Sequence, residues 1–303
     1  MSYLLHLVFA PGFFGNGPVR VALLAGGLVA VVSGIVGAFA VLRGQSYAGH
    51  ALADISVTGG SGSYLAGISP LWGFVGVGVL AAAVMDLIGV RRPRGRDLAT
   101  GIVRGAGLGL AALFLYWAAT SSSSSGTTIS ILFGSMFTIS TQTVPLIVGL
   151  GAAALAIVGA TYRPLLLSSV SGDLAAARGV AVRATGVACL VAIAIAVSLS
   201  AMTIGAILST ALLVGPAAAA LRVARRPGLA VALAAGLGLA ATWLGVLLSY
   251  DSYYWPPAGH GWPVSFFVVA LVFVIYLAAQ PAGAWRARRA RRREEGGACS
   301  PAS

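Results

Sequence analysis

Residues 19–42, VRVALLAGGLVAVVSGIVGAFAVL, form an almost unbroken apolar run, and this run decides the fold class. A helix of about 20 apolar residues crosses the hydrocarbon core of a bilayer, so the run is long enough to span a membrane. Further runs of similar size lie at 46–66, 69–90, 98–119, 142–161, 180–198, 202–222, 228–249 and 263–281. The sequence therefore predicts an all-α polytopic membrane protein with about nine transmembrane helices.

The composition of the whole chain supports this class. Of the 303 residues, 58% are hydrophobic and only 9% are charged, and the mean hydropathy is +0.94. A typical soluble domain carries about 25% charged residues. Lipid is therefore the expected surrounding of most of this chain.

Arginine supplies all 19 basic residues, which give the chain a net charge of +12. Apart from Arg20 and Arg104, the arginines occur singly or in short clusters after the first, third, fifth, seventh and ninth apolar runs. Because arginine collects at the cytoplasmic flanks of membrane helices, this pattern predicts a multi-pass cell-membrane protein with its N-terminus outside and its C-terminus in the cytoplasm. Short clusters do not form the continuous basic face of a nucleic-acid site, so membrane lipid is the expected partner of these charges.

The pattern predicts two regions, a single transmembrane domain over residues 1–285 and a basic cytoplasmic tail over residues 286–303 that we expect to be disordered. No phosphate-binding loop of the form G-x-x-x-x-G-K-[ST] occurs in the sequence, so ATP would have to bind to a partner. Acidic residues and histidines are too few to suggest an acid–base or nucleophilic catalytic site. We therefore predict that the chain is not an enzyme and holds no cofactor of its own.

The second apolar run begins with two ionisable residues, His50 and Asp54. Their spacing of four places both side chains on one face of a helix, about 6 Å apart. An imidazole nitrogen and a carboxylate oxygen are ligands for Zn²⁺ and are acceptable for Mn²⁺. An incomplete site of this kind suits transient binding along a transport path. The alternative is that the two side chains bond to each other and only fix helix packing.

Three other ionisable residues are weaker candidates. Arg104 in the fourth run and Asp86 in the third can line a cavity or snorkel to the cytoplasmic interface, and their positions favour snorkelling. His260 lies in an outer aromatic segment, where a solvated loop histidine is more common than a metal ligand. We assign no role to these three residues from the sequence.

Four separated segments resemble, in the same order, segments of the ABC permeases that import zinc and manganese. They are AVLRGQSYAGHALADIS at 40–56, ISILFGSMFTIS at 129–140, LLLSSVSGDLAAARGV at 165–180 and MTIGAILSTALLVGPAAAALRVARRP at 202–227. The fourth is the strongest match, since it ends in the same basic cluster. Together the matches extend over about residues 20 to 280.

The first and third segments carry the residues to which the resemblance assigns roles. In the family, two metal-coordinating positions lie four apart as Asp followed by His, whereas this chain has the reverse order, His50 then Asp54. In the third segment, Asp173, Ala176 and Gly179 match the short helix that docks on the ATPase. The resemblance thus implies an ion-binding pair and an ATPase-coupling segment.

What the resemblance implies for the whole protein is a type II ABC importer-like permease subunit that forms a homodimer. Such a subunit takes Zn²⁺ or Mn²⁺ from an extracytoplasmic metal-binding protein and changes conformation when cytoplasmic ATPase subunits bind ATP. Two transport alternatives stay open at this stage, namely an iron-chelate or vitamin ABC permease and a secondary cation transporter. The His50 and Asp54 pair favours a bare metal ion over a bulky chelate.

Overall fold

The computed structural model describes residues 13–89, 93–121, 126–134, 136–255 and 261–298, and side chains only up to residue 281. Within these ranges the chain is helical and contains no strand. The helices are α1 (Gly17–Leu42), α2 (Ser46–Leu65), α3 (Pro70–Gly89), α4 (Pro93–Ser121), α5 (Gly126–Phe133), α6 (Val144–Ala160), α7 (Tyr162–Val170), α8 (Gly172–Ala177), α9 (Val182–Ile204), α10 (Ser209–Val223), α11 (Pro227–Ser252) and α12 (Val264–Ala298).

Seven segments of the described chain are long and apolar enough to cross a membrane. They are Gly17–Leu42, Pro70–Ile88, Thr100–Thr120, Thr141–Ala160, Val182–Ile204, Pro227–Ser252 and Val264–Pro281. The other two predicted spans are helices that lack either the length or the apolar character of a membrane-crossing segment. Helix α2 has 20 residues but a more polar sequence, and α10 has only 15 residues. The prediction of an all-helical membrane protein is confirmed, and the count of nine spans is not.

Helices α1 and α9 form the centre of the bundle. In the most apolar 18-residue stretch of each helix, 67% of the residues of α1 and 72% of those of α9 are buried. The corresponding share in the segment Thr100–Thr120 is 17%. Small residues let the helices around this centre approach closely, as is typical of membrane bundles. At Gly37 of α1, an added Cβ would lie 1.9 Å from the backbone oxygen of Leu213 in α10. Helices α1 and α10 are therefore packed backbone to backbone.

The helix is interrupted between α9 and α10, inside one continuous apolar stretch of the sequence. Gly205 has a φ of +92°, a conformation that residues with a Cβ rarely adopt. The amides of Ala206 and Ile207 bond to the carbonyls of Ile131 (3.3 Å) and Leu132 (3.4 Å) at the end of α5. These bonds satisfy backbone groups that the break frees, as buried irregular backbone requires. The break lets α10 begin inside the bundle.

The ends of helices that the charge pattern assigns to the cytoplasm lie together in the structure. Arg43, which follows α1, donates to the hydroxyl of Ser168 in α7. Arg183 at the start of α9 donates to Asp86 near the end of α3, with N–O distances of 3.3 Å. We call this part of the bundle the Arg43 end.

The last helix continues past residue 285, where the sequence analysis placed the start of a disordered tail. Helix α12 extends from Val264 to Ala298 and includes Pro281. Residues 299–303 are outside the described chain. The division of the chain into a domain and a tail stays a prediction.

Candidate metal site

Helix α2 places His50 and Asp54 on one face, one turn apart. His50 Nε2 and Asp54 Oδ2 are separated by 3.8 Å. The His50 side chain is 41% exposed and the Asp54 side chain is 15% exposed, so the pair opens to one side of the bundle. The juxtaposition expected from their spacing is present, and a metal-binding role for the pair stays a prediction.

Arg104 of α4 contacts both members of the pair. Its Nε donates to Asp54 Oδ2 at 2.6 Å, and its Nη2 lies 3.1 Å from His50 Nε2. The structure therefore contradicts the expectation that Arg104 snorkels away to the cytoplasmic interface. An intramembrane arginine costs less when it is paired with a carboxylate, and Asp54 supplies that partner.

A fourth side chain, Thr210, orients the imidazole. The Oγ1 of Thr210, in the first turn of α10, lies 3.2 Å from His50 Nδ1. A guanidinium only donates hydrogen bonds, so His50 Nε2 must accept from Arg104 with its lone pair. His50 is then assigned as the neutral tautomer with its proton on Nδ1, which donates to Thr210. In this tautomer the nitrogen with the free lone pair is Nε2, which lies 3.8 Å from Asp54 Oδ2.

A close approach of α4 to α2 explains why Arg104 reaches Asp54. One turn after each of these residues, the Thr58 hydroxyl donates to the Gly107 carbonyl at 2.7 Å. A Cβ on Gly107 would lie 2.6 Å from Ile55 Cγ1, so a larger residue would push the helices apart. The two helices run parallel at this contact, which brings Arg104 level with Asp54.

The described residues contain no group of three or more His, Cys, Asp or Glu side chains that could hold a metal ion. The pair can therefore provide two protein ligands, whereas a closed tetrahedral zinc site needs four. The remaining positions would be filled by water or by donors outside this chain. Such a site favours transient binding over permanent retention.

Asp86, another ionisable candidate, lies away from the pair. Asp86 accepts from Arg183 at the Arg43 end, a position that agrees with the interfacial location expected for it. His260 falls outside the described residues.

The segment that resembles an ATPase-docking helix forms α7 and α8 at the Arg43 end. Ser171 caps α8 by accepting from the Leu174 amide at 3.2 Å, and Asp173 follows in the first turn. Asp173, Ala176 and Gly179 are exposed, and Gly179 ends the helix with a φ of +77°. The three residues thus lie on one short exposed unit, and their coupling role stays a prediction.

A cavity of about 480 Å³ lies beside the start of α1, at the other end of the bundle. Its lining includes Met136 and the aromatic residues Tyr250, Tyr254 and Trp262. A hydrogen bond with Tyr250 raises the pKa of the Tyr254 phenol. The cavity offers aromatic surface and hydroxyl groups but no described acidic ligand for a metal.

A bundle of apolar helices with a His, Asp and Arg cluster on one open side defines a polytopic membrane protein with a polar site among its helices. The chain belongs to the ABC 3 transport family, whose model matches residues 18–280. The resemblance found in the sequence is therefore confirmed at the level of the family.

The chain is similar in sequence to two bacterial membrane proteins. The chain is 31% identical to the manganese import system permease protein ScaB of Streptococcus parasanguinis over 231 residues, which are 76% of this chain and 81% of ScaB. It is 26% identical to the manganese transport system membrane protein MntC of Listeria innocua over 244 residues, 80% of this chain and 86% of MntC.

A solved structure shares the fold over nearly the whole chain. PsaBC from Streptococcus pneumoniae, in complex with Fab, superposes with a TM-score of 0.76 and 26% sequence identity. The similarity covers 91% of this chain and 95% of the PsaBC chain. The helical architecture of this chain is thus shared with PsaBC.

Proposed function

We propose that this chain is the permease subunit of an ATP-driven importer of divalent metal ions, with Mn²⁺ or Zn²⁺ as its substrate. The observation that carries the proposal is the His50 and Asp54 pair, which lies on an open side of the helical bundle of an ABC 3 family member. In this proposal the two side chains bind the ion transiently. The ion arrives from an extracytoplasmic metal-binding protein and leaves into the cytoplasm.

Manganese is the first ion to test, because ScaB and MntC are both named for manganese. The donor pair itself accepts either ion, since imidazole suits Zn²⁺ and a carboxylate with water suits Mn²⁺. Zinc therefore remains the second candidate substrate.

A separate ATPase would supply the energy through the exposed segment at the Arg43 end. Leu174 is 47% exposed and Val170 is 83% exposed, so this segment presents apolar surface beside Asp173, Ala176 and Gly179. Such a patch at the end of a membrane bundle suits a protein partner. We propose that the ATPase docks here and that ATP binds only to that partner.

The architecture that goes with this function is type II importer-like, with nine helices crossing the bilayer and α2 and α10 completing the set. We propose a homodimer, since the exposed sides of His50 and Arg104 would otherwise face lipid at high cost. The N-terminus would lie outside the cell and the C-terminal tail in the cytoplasm, where its arginines contact anionic lipid.

Metal uptake by cells tests the site. His50→Ala and Asp54→Ala should each abolish uptake of ⁵⁴Mn or ⁶⁵Zn, because each removes one of the two protein ligands. Asp86→Ala is a matched control, since it removes a paired carboxylate from the Arg43 end and should leave most uptake in place. Equal membrane expression is confirmed by immunoblot. Unchanged uptake by both site variants would refute the proposed role of the pair.

A secondary transporter gives a different result in liposomes. The purified chain alone should not move Mn²⁺ along an ion gradient, and uptake should require the ATPase partner and ATP. Gradient-driven transport by the chain alone would favour the secondary-transporter alternative.

A further inference from the structure

Arg104 already contacts both side chains that the proposed function assigns to the transported metal. Its guanidinium bonds to Asp54 Oδ2 at 2.6 Å and lies 3.1 Å from His50 Nε2. A metal ion bound by the pair would need the same nitrogen lone pair and would draw on the charge of the same carboxylate. The arginine and the metal are therefore competitors for one pair of side chains.

The charges lead to the same conclusion. Without metal, the charges of the Asp54 carboxylate and the Arg104 guanidinium sum to zero. If a divalent ion bound while the guanidinium stayed in place, the same small volume would carry a net charge of about +2, which a weakly solvated membrane interior disfavours. Metal binding and withdrawal of the guanidinium should therefore occur together.

The surroundings of Arg104 allow such a withdrawal without a change in the backbone. The Arg104 side chain is 30% exposed, and its long flexible stem can carry the charged group to another position. Tyr47, one turn before His50 on α2, also interacts with the guanidinium. The Tyr47 side chain is 44% exposed, so its hydroxyl offers a partner nearer to the start of α2.

We propose that Arg104 is a tethered cation that competes with the transported metal, keeps the empty site neutral and promotes release of the ion by returning to Asp54. This inference rests on the function proposed above. The measured affinity for metal is then the intrinsic affinity reduced by the fraction of sites that are free of the guanidinium. A weakened site of this kind suits transport, in which the ion must leave as well as bind.

Direct Mn²⁺ binding tests the competition. The full-length chain in lipid nanodiscs is titrated with Mn²⁺, and the free ion is followed by its electron paramagnetic resonance signal. Arg104→Gln should bind Mn²⁺ about tenfold more tightly than the unmodified chain, because the site no longer contains a competing cation. Arg104→Lys keeps a positive charge and should stay close to the unmodified affinity.

Two controls separate competition from a change in folding. Arg183→Gln removes the arginine of the other Asp–Arg pair, at the Arg43 end, and should leave the Kd unchanged. Asp54→Ala combined with Arg104→Gln should lose the gain in affinity, since the gain requires the carboxylate. In cells, Arg104→Gln should lower both the KM and the maximal rate of uptake, because a more tightly held ion leaves more slowly.

An unchanged or larger Kd for folded Arg104→Gln would overturn the proposed competition. A purely structural role for the Asp54–Arg104 ion pair would give that result. The proposed function fails separately, if uptake does not depend on His50 and Asp54. If Arg104→Gln binds Mn²⁺ more tightly but uptake does not depend on His50 and Asp54, the site binds metal without being part of the transport path.

Discussion

At the scale of residues, the candidate site depends on which atom of each side chain is available. His50 can offer Nε2 to a metal only if the proton is on Nδ1; the donor-only guanidinium of Arg104 requires that tautomer here, and Thr210 accepts from Nδ1 and holds the ring. Hydrogen bonds of this kind orient metal-binding histidines and raise their basicity. Thr210 is therefore a positioning residue in the proposed site, although its own oxygen need not touch the ion.

Thr210→Val tests this positioning role with little change in side-chain volume. Loss of the hydroxyl should weaken Mn²⁺ binding about 10-fold to 100-fold, the range found when outer hydrogen-bond partners of metal ligands are removed. Thr210→Ser keeps the hydroxyl and should bind nearly as well as the unmodified chain. Titration of the full-length chain in nanodiscs measures both values, and equal Kd values for the two variants would contradict the role of the hydroxyl.

The sequence predicts the proximity of His50 and Asp54, because i and i+4 residues share a helix face. Arg104 and Thr210 come from two other helices, and their contacts depend on how those helices pack. A positive charge inside an apolar run was a signal that Arg104 needs a partner. Its partner could not be chosen without knowing that Gly107 lets α4 run against α2.

At the scale of elements, close backbone contacts hold α2 against α3. A Cβ on Gly59 would lie 1.9 Å from the Gly73 carbonyl oxygen, and a Cβ on Gly73 would lie 2.0 Å from the Gly59 oxygen. Each position therefore excludes any larger residue while the other helix stays in place. This contact fixes one side of the helix that carries His50.

Gly73→Ala should destabilise the bundle, since an overpacked contact typically costs about 1–3 kcal/mol. The expected result is a lower melting temperature in fluorescence-detected size-exclusion chromatography. Gly76→Ala, one turn later in α3, is the matched control because a Cβ there meets nothing within 4 Å. That control should be neutral or slightly stabilising, since alanine favours helix by up to about 1 kcal/mol. Equal melting temperatures would show that α2 and α3 can separate without cost.

Element boundaries were predictable where the apolar run ends at polar residues. The first helix, predicted at 19–42, is Gly17–Leu42 in the structure. The seventh prediction, 202–222, missed the break before Ser209, since residues 202–208 contain no charged residue and no proline that would mark a helix end. That break depends on the φ of Gly205 and on backbone bonds to α5, which is distant in the sequence.

At the scale of the whole molecule, the two candidate sites are joined by a short path through the Arg43 end. The proposed ATPase-docking helix α8 directly follows α7, and Ser168 of α7 accepts a hydrogen bond from Arg43. Only Gly44 and Gln45 separate Arg43 from α2, which carries His50 in its second turn. Movement of α7 and α8 on ATP binding would therefore reach the start of α2 through this bond.

Ser168→Ala tests this path, because it removes the hydrogen bond between Arg43 and α7 while leaving both candidate sites intact. Its neighbour Ser169 bonds only within its own turn, to the Leu166 carbonyl at 2.7 Å, so Ser169→Ala is the matched control. We expect Ser168→Ala to reduce ATP-driven Mn²⁺ uptake about fivefold or more, the size of a typical coupling energy between sites. Mn²⁺ affinity in nanodiscs should not change. Equal uptake by the two variants, or an equal loss of affinity and uptake in Ser168→Ala, would show that the coupling does not pass through Arg43.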